Sequence, residues 1–315
     1  MYFLAVGIGA GLVSALLFGV VITGSPLAFA LSIIAPMPIF IAALGWNHRS
    51  GLVASLAGGI AMALALNPTA GLVFALGWAL PAWWLAYLAL LGRADEAGTM
   101  EWYPLGRLLL WIVATSALIT FIGVVAIGDG SYEAFRNTVR ATFDSFIRAQ
   151  GGAAEPPAPN DAVSLVVSAL PFFFALNFVL ILTLNLWLAA KTVQVSGRLA
   201  RPWPYIPATV MPPLSLALIA GAVVASFLPG FLGAAGLIVA GALSSAFAIQ
   251  GLAFIHATSR ERPGRGFLLG GVYTLALAMS QVVLPLLAML GLADVAFRLR
   301  NRFGPGGAGP KTPST

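Results

Sequence analysis

The chain has 315 residues, 60% hydrophobic and only 8% charged, with a formal net charge of +6 and a mean hydropathy of +0.96. An ordinary soluble domain carries roughly 25% charged residues, so this composition excludes a water-facing globule and calls for lipid as solvent. There is no cysteine, which excludes disulfides, a thiolate nucleophile and thiolate-held metals.

The fold class expected is all-α: a polytopic transmembrane bundle of eight or nine spans, one integral-membrane domain over 1–303, then a disordered tail at 304–315. Crossing about 30 Å of hydrocarbon takes roughly 20 apolar residues. Such runs fall at about 2–23, 27–45, 51–66, 70–91, 104–127, 162–190, 213–229, 232–256 and 267–290. The first run has no basic residue before it and no small-residue cleavage site, and so reads as a retained span. Thr23-Gly24-Ser25-Pro26, Trp46-Asn47-His48-Arg49, Asn67-Pro68-Thr69 and Pro229-Gly230 are turn residues between spans. Small residues recur every fourth position in Gly7-x-x-x-Gly11, Ala10-x-x-x-Ser14, Gly51-x-x-x-Ser55-x-x-x-Gly59 and Gly266-x-x-x-Gly270. Close helix contact, internal or with a partner helix, uses such positions. Pro36 and Pro38, Pro81, Pro171 and Pro285 interrupt four runs, as broken helices at substrate sites do.

The segment 128–161 is the largest between spans. Tyr132, Phe135, Val139, Phe143, Phe146 and Ile147 recur on one helical face, and Arg136, Arg140, Asp144 and Arg148 on another. This predicts an external amphipathic helix over 131–149, lying on the membrane surface, with a loose Gly-, Ala- and Pro-rich return at 151–160.

Alternate loops carry Arg49; Arg93 and Arg107; Lys191, Arg198 and Arg201; and Arg260, Arg262 and Arg265. The positive-inside rule makes that side cytoplasmic and puts the N-terminus inside, in the bacterial cytoplasmic membrane. The same distribution argues against nucleic acid as a partner. Nine spans would put Arg298, Arg300, Arg302 and Lys311 outside, unless the last run bends back near Pro285 and Gly291.

The ten carboxylates are Asp95, Glu96, Glu101, Asp129, Glu133, Asp144, Glu155, Asp161, Glu261 and Asp294. All sit in loops or at span ends, so no buried acid marks a proton-coupled site. Neither lysine, Lys191 nor Lys311, ends a phosphate-binding loop. His48 and His256 are too far apart in sequence to suggest a zinc set, and no serine is placed by a nucleophile motif. The expectation is therefore a protein that is not an enzyme, with no catalytic residue, no metal and no cofactor.

Neutral polar residues inside the apolar runs remain. Asn177, Thr183 and Asn185 share one run, Ser244, Ser245 and Gln250 another, and Tyr273, Thr274, Ser280 and Gln281 the last. An amide in hydrocarbon needs a partner, so these groups should face inward. They are either bonds between helices or the lining of a neutral polar cavity.

Certain strings are not forced by membrane composition: Asn185-Leu-Trp-Leu-Ala-Ala-Lys191, Ser196-Gly-Arg-Leu-Ala-Arg-Pro-Trp203, Gln250-Gly-Leu-Ala-Phe-Ile-His256, and Gly291-Leu-Ala-Asp294 with Phe297, Arg298 and Arg300. On these the C-terminal half resembles the YybS-like family of bacterial multi-pass membrane proteins, domain of unknown function 2232. That resemblance implies a membrane architecture and no activity. The architecture is distantly similar to the substrate-binding subunits of energy-coupling-factor transporters, whose small first-helix residues meet a transport partner. Gly7, Ala10, Gly11 and Ser14 would suit that role. In the shared strings, Asp294 and Arg298 stand four apart as helix partners, and the Arg-rich loop would suit lipid headgroups or a partner protein.

Two functional readings follow. One is a non-enzymatic subunit binding a neutral or zwitterionic small molecule through Asn177, Asn185, Gln250, Tyr273 and Gln281, energised by a separate membrane or ATPase partner. The other is a membrane scaffold or assembly factor for envelope proteins, without a ligand, that uses Gly7, Gly11, Ser14, Arg198 and Arg201 against partner or lipid.

Overall fold

The computed structural model describes residues 2–149, 161–260 and 262–300. The tail at 304–315 and the return at 151–160 lie outside the described residues. Among the described residues the chain is helical apart from turns, short connections and one hairpin pairing Gly92–Ala94 with Met100–Trp102. Seven helical stretches among the described residues are long and apolar enough to cross a bilayer: Tyr2–Thr23, Pro26–Trp46, Pro68–Ala89, Leu105–Ile127, Val163–Val195, Gly230–Thr258 and Ser280–Phe297. The protein is a polytopic α-helical membrane protein.

Three expected runs differ in detail. Run 213–229 yields a helix of only 12 residues, Leu214–Ala225, about 18 Å long. Run 267–290 is split at Met279 (φ −133°, ψ 46°) into Arg265–Ala278 and Ser280–Phe297. Ser280 and Gln281 are the only polar residues at the corner, with no glycine or proline beside them, so the sequence carries no turn signal there. Run 51–66 is the helix His48–Ala65, which opens on the polar residues His48, Arg49 and Ser50.

The chain groups into two compact units, Met1–Ile112 with Leu180–Val210, and Val113–Val179 with Met211–Thr315, where the sequence suggested one domain. In the first unit, helix α1 (Tyr2–Gly19) lies against α4 (His48–Ala65), with α2 (Pro26–Ile33) and α3 (Met37–Trp46) between them in sequence. A side chain at Gly7 would stand 2.7 Å from the Ser50 carbonyl oxygen, and one at Gly11 would strike the Ala54 carbonyl. The helices touch backbone to backbone there, which dispersion rewards when lipid offers no hydrophobic drive. Ser14 Oγ, on the same face, donates to the Ala35 carbonyl inside the α2–α3 break. Pro36 and Pro38 cause that break by removing two amide donors. Pro81 similarly follows a wide π turn at Ala75–Ala79, between α5 (Pro68–Phe74) and α6 (Leu80–Ala89), and Ser55 Oγ donates to the Ala79 carbonyl at 2.8 Å. Asn47 caps α4, accepting from Arg49 N at 2.9 Å, with a positive φ of 129° that asparagine tolerates better than most residues.

The second unit holds helices α10 (Leu214–Ala225), α11 (Gly230–Thr258), α12 (Arg265–Ala278) and α13 (Ser280–Phe297), with α8 (Tyr132–Ala149) and parts of α7 (Leu105–Ile127) and α9 (Asp161–Val195). Helix α11 buries glycines and alanines along most of its length. It crosses α13 where Gly251 faces the Leu287 carbonyl and Gly291 the Phe247 carbonyl, too close for any side chain. The expected amphipathic helix forms as α8. Phe135 is buried, Tyr132 stacks on it at 5.9 Å, and Tyr132 meets Phe231 of α11 edge-on. Burial pushes the Tyr132 hydroxyl pKa upward, partly offset by the nearby Arg136.

Replacing Gly251 by Val should force α11 and α13 apart, because the obstacle is backbone that cannot rotate away. The expected loss is about 3 kcal/mol, at the upper end for overpacking. Gly266→Val, where an added side chain meets open space, should leave the melting temperature of the detergent-solubilised protein nearly unchanged. Equal effects at both glycines would refute this crossing.

Candidate functional site

A cavity of about 730 Å³ lies in the second unit. Phe172, Phe173, Leu176 and Asn177 of α9 form one wall, and Ser244, Ser245, Phe247 and Ala248 of α11 a second. Helix α13 supplies the third, from Ser280 and Gln281 through Leu284 and Ala288 to Leu292, with Ile219 of α10 closing an edge. No lining residue is ionisable. The walls exist because α9, α11 and α13 are each long and apolar, with α9 and α13 running on through Pro171 and Pro285, which do not break them as expected, while the corner at Met279 places Ser280 and Gln281 at the start of α13.

Of the five residues expected to line one cavity, the structure brings two together there, Asn177 and Gln281. Asn177 Nδ2 donates to its own helix at the Phe173 carbonyl, 2.8 Å away. Ser245, also in the wall, is 2% exposed, and its Oγ is buried with no hydrogen-bond partner. A helical serine normally returns its proton to the carbonyl one turn back, and this one does not.

The other three sit elsewhere, each with an internal partner. Asn185, in the first unit, donates through Nδ2 to the Ile33 carbonyl at 2.9 Å and to Ile181. Ile33 ends α2, and Met37 N bonds Ile34 instead, so the side chain supplies the donor that the break removed. Gln250 is fully buried, accepts from Met211 N at 2.7 Å and donates to Asp294 Oδ2 at 3.0 Å. Tyr273 is on α12, 44% exposed, with its hydroxyl 2.9 Å from His256 Nε2. These three bind helix to helix or segment to segment and do not line the cavity.

Asp294 corrects the sequence reading on two points. It is buried inside α13, 3% exposed. Its partner is Arg300, at 2.7 Å from Nε, and the expected pair with Arg298 is absent. Arg298 takes a left-handed conformation (φ 51°) that ends α13, so the helical spacing of four no longer applies. Arg300 comes round the turn to Asp294 and also donates its backbone N–H to Oδ1 at 3.3 Å. Gln250, Asp294 and Arg300 thus tie α11, the end of α13 and the Met211 segment, and only this pairing satisfies a buried acid.

The residues expected at partner or lipid contacts also have internal uses. Gly7 and Gly11 are filled by α4, and Ser14 bonds Ala35. The Arg198 guanidinium lies 4.6 Å over the Trp46 ring. Arg201 Nη1 donates to the Ala89 carbonyl at 3.1 Å, capping the C-terminus of α6, and its guanidinium lies over Trp102. Burial lowers the Arg201 pKa from its ordinary value.

Gln250→Leu should strand the Met211 amide and take one donor from Asp294, which keeps Arg300, costing about 1–3 kcal/mol. Gln250→Glu keeps the acceptor for Met211 but sets two carboxylates together, and should destabilise more at pH 8 than at pH 5. Thermal melts at both pH values, with Asn177→Leu as a mild control, check this.

A family model described as "Predicted membrane protein (DUF2232)" matches residues 12–295 of the chain. No curated protein matches it, and no solved structure does.

Proposed function

The chain belongs to the DUF2232 family of predicted membrane proteins, and from its cavity we propose that it is a small-molecule-binding subunit. The observation that supports this reading is the cavity of about 730 Å³ in the second unit. It falls within the roughly 300–1,000 Å³ usual for ligand sites, mostly apolar with a few convergent polar groups. Those groups are Asn177, Ser244, Ser245, Ser280 and Gln281. All are neutral, so the ligand is uncharged; a charge there would lack a counter-charge in a low-dielectric wall.

In this reading the subunit binds and does not catalyse. The sequence has no nucleotide-binding motif, so any ATP-driven step belongs to a separate membrane or ATPase partner, the division of labour in the energy-coupling-factor analogy. The N-terminus faces the cytoplasm and the bilayer is the bacterial cytoplasmic membrane, as the loop arginines suggest. A scaffold reading has less support, because Gly7, Gly11 and Ser14 are occupied by contacts inside the first unit.

Native mass spectrometry of the gently solubilised protein tests the proposal. A stoichiometric small molecule, released on unfolding, is the expected result. Asn177→Leu combined with Gln281→Leu should lose that molecule at least tenfold while the melting temperature stays within a few degrees. Undiminished ligand in the double variant would reject these residues as its binding groups.

A further inference from the structure

We propose that the ligand of this cavity is a neutral membrane amphiphile, with an aliphatic chain and a hydroxyl- or amide-bearing head, that enters sideways from the bilayer. The inference rests on the binding-subunit reading above and adds the class of ligand and its route.

The first argument is where the rim lies. Phe173 and Met289 are 50% and 59% exposed, and Asn177, Gln281 and Pro285 are exposed beside them. Phe173 and Asn177 belong to the span Val163–Val195, and the other three to Ser280–Phe297. Surface exposed on these two spans meets lipid tails. A water-soluble molecule would have to shed its hydration before reaching such a mouth, whereas an amphiphile is already dissolved there.

Shape is the second argument. The α13 wall runs from Ser280 to Leu292, about 18 Å at 1.5 Å per residue. Leu284, Ala288 and Leu292 on that wall, with Phe172 and Phe247 on the walls from α9 and α11, make the cavity apolar for most of that length. An extended chain of a dozen or more carbons matches that length, and a compact polar nutrient does not.

Chemistry is the third. The polar groups are hydroxyls and amides, none charged. The Asn177 and Gln281 amides, exposed at the rim, would hydrogen-bond a hydroxyl- or amide-bearing head; an anionic head would find no cation among the lining residues.

The test uses the full chain reconstituted in phosphatidylcholine vesicles containing a diazirine-bearing monoacylglycerol, irradiated and digested for peptide mass spectrometry. Label should concentrate in segments 172–177, 244–248 and 284–292, and fall at least tenfold in Ala288→Trp, which fills the cavity. Gln281→Leu, which removes a rim amide at nearly constant volume, should reduce it several-fold. A diazirine fatty acid, anionic at pH 8, should label these segments several-fold less. Label spread evenly over the lipid-facing helices and unchanged by Ala288→Trp would overturn the inference. If native mass spectrometry of that preparation shows a water-soluble molecule that Ala288→Trp expels, the amphiphile is wrong and the binding subunit stands. If neither label nor molecule responds to Ala288→Trp, both fail.

Discussion

In hydrocarbon every backbone amide and carbonyl must find a partner inside the protein, because no water is there to substitute. This chain breaks its helices at several places, and at those places polar side chains complete the bonding. Asn185 donates to the Ile33 carbonyl at the end of α2, Ser14 donates to Ala35 within the proline break, and Ser55 donates to Ala79 at the π turn. Gln250 performs the complementary service, accepting from the amide of Met211. These four polar residues in the apolar runs thus serve irregular backbone.

The same constraint separates the cavity from the rest of the interior. Where α1 meets α4, or α11 meets α13, glycines bring backbones into contact and no space is left. Away from those crossings, α9, α11 and α13 leave a hollow between them. The hollow is lined by neutral polar groups, among them Asn177 and Gln281, that are not spent on tying one helix to another.

The buried acid belongs to a different arrangement. Asp294, Arg300 and Gln250 form a closed set at the end of α13, in which the pair is direct and the amide bridges to a third segment. Taking either charge away would leave the other in a low dielectric, which costs more than the pair itself contributes. This set lies outside the cavity lining, so it holds the wall in place and does not touch what the cavity contains.

The membrane class, the helical composition, most span positions and the amphipathic helix were legible in the sequence, because each depends on local composition and period. So were the breaks at Pro36, Pro38 and Pro81, since proline's missing donor acts on its own neighbourhood. The five amide and hydroxyl candidates could be recognised as inward-facing, but not sorted. Whether an asparagine in a span repairs a distant helix end, as Asn185 does across 152 residues of sequence, or lines a hollow, as Asn177 does, depends on which backbone lies opposite. Likewise the spacing of Asp294 and Arg298 suggested a pair that the left-handed turn at Arg298 prevents, and Arg300 took the place. Local physics fixes what each segment is; which segments meet, and therefore which polar atom remains unsatisfied, was decided only by the tertiary structure.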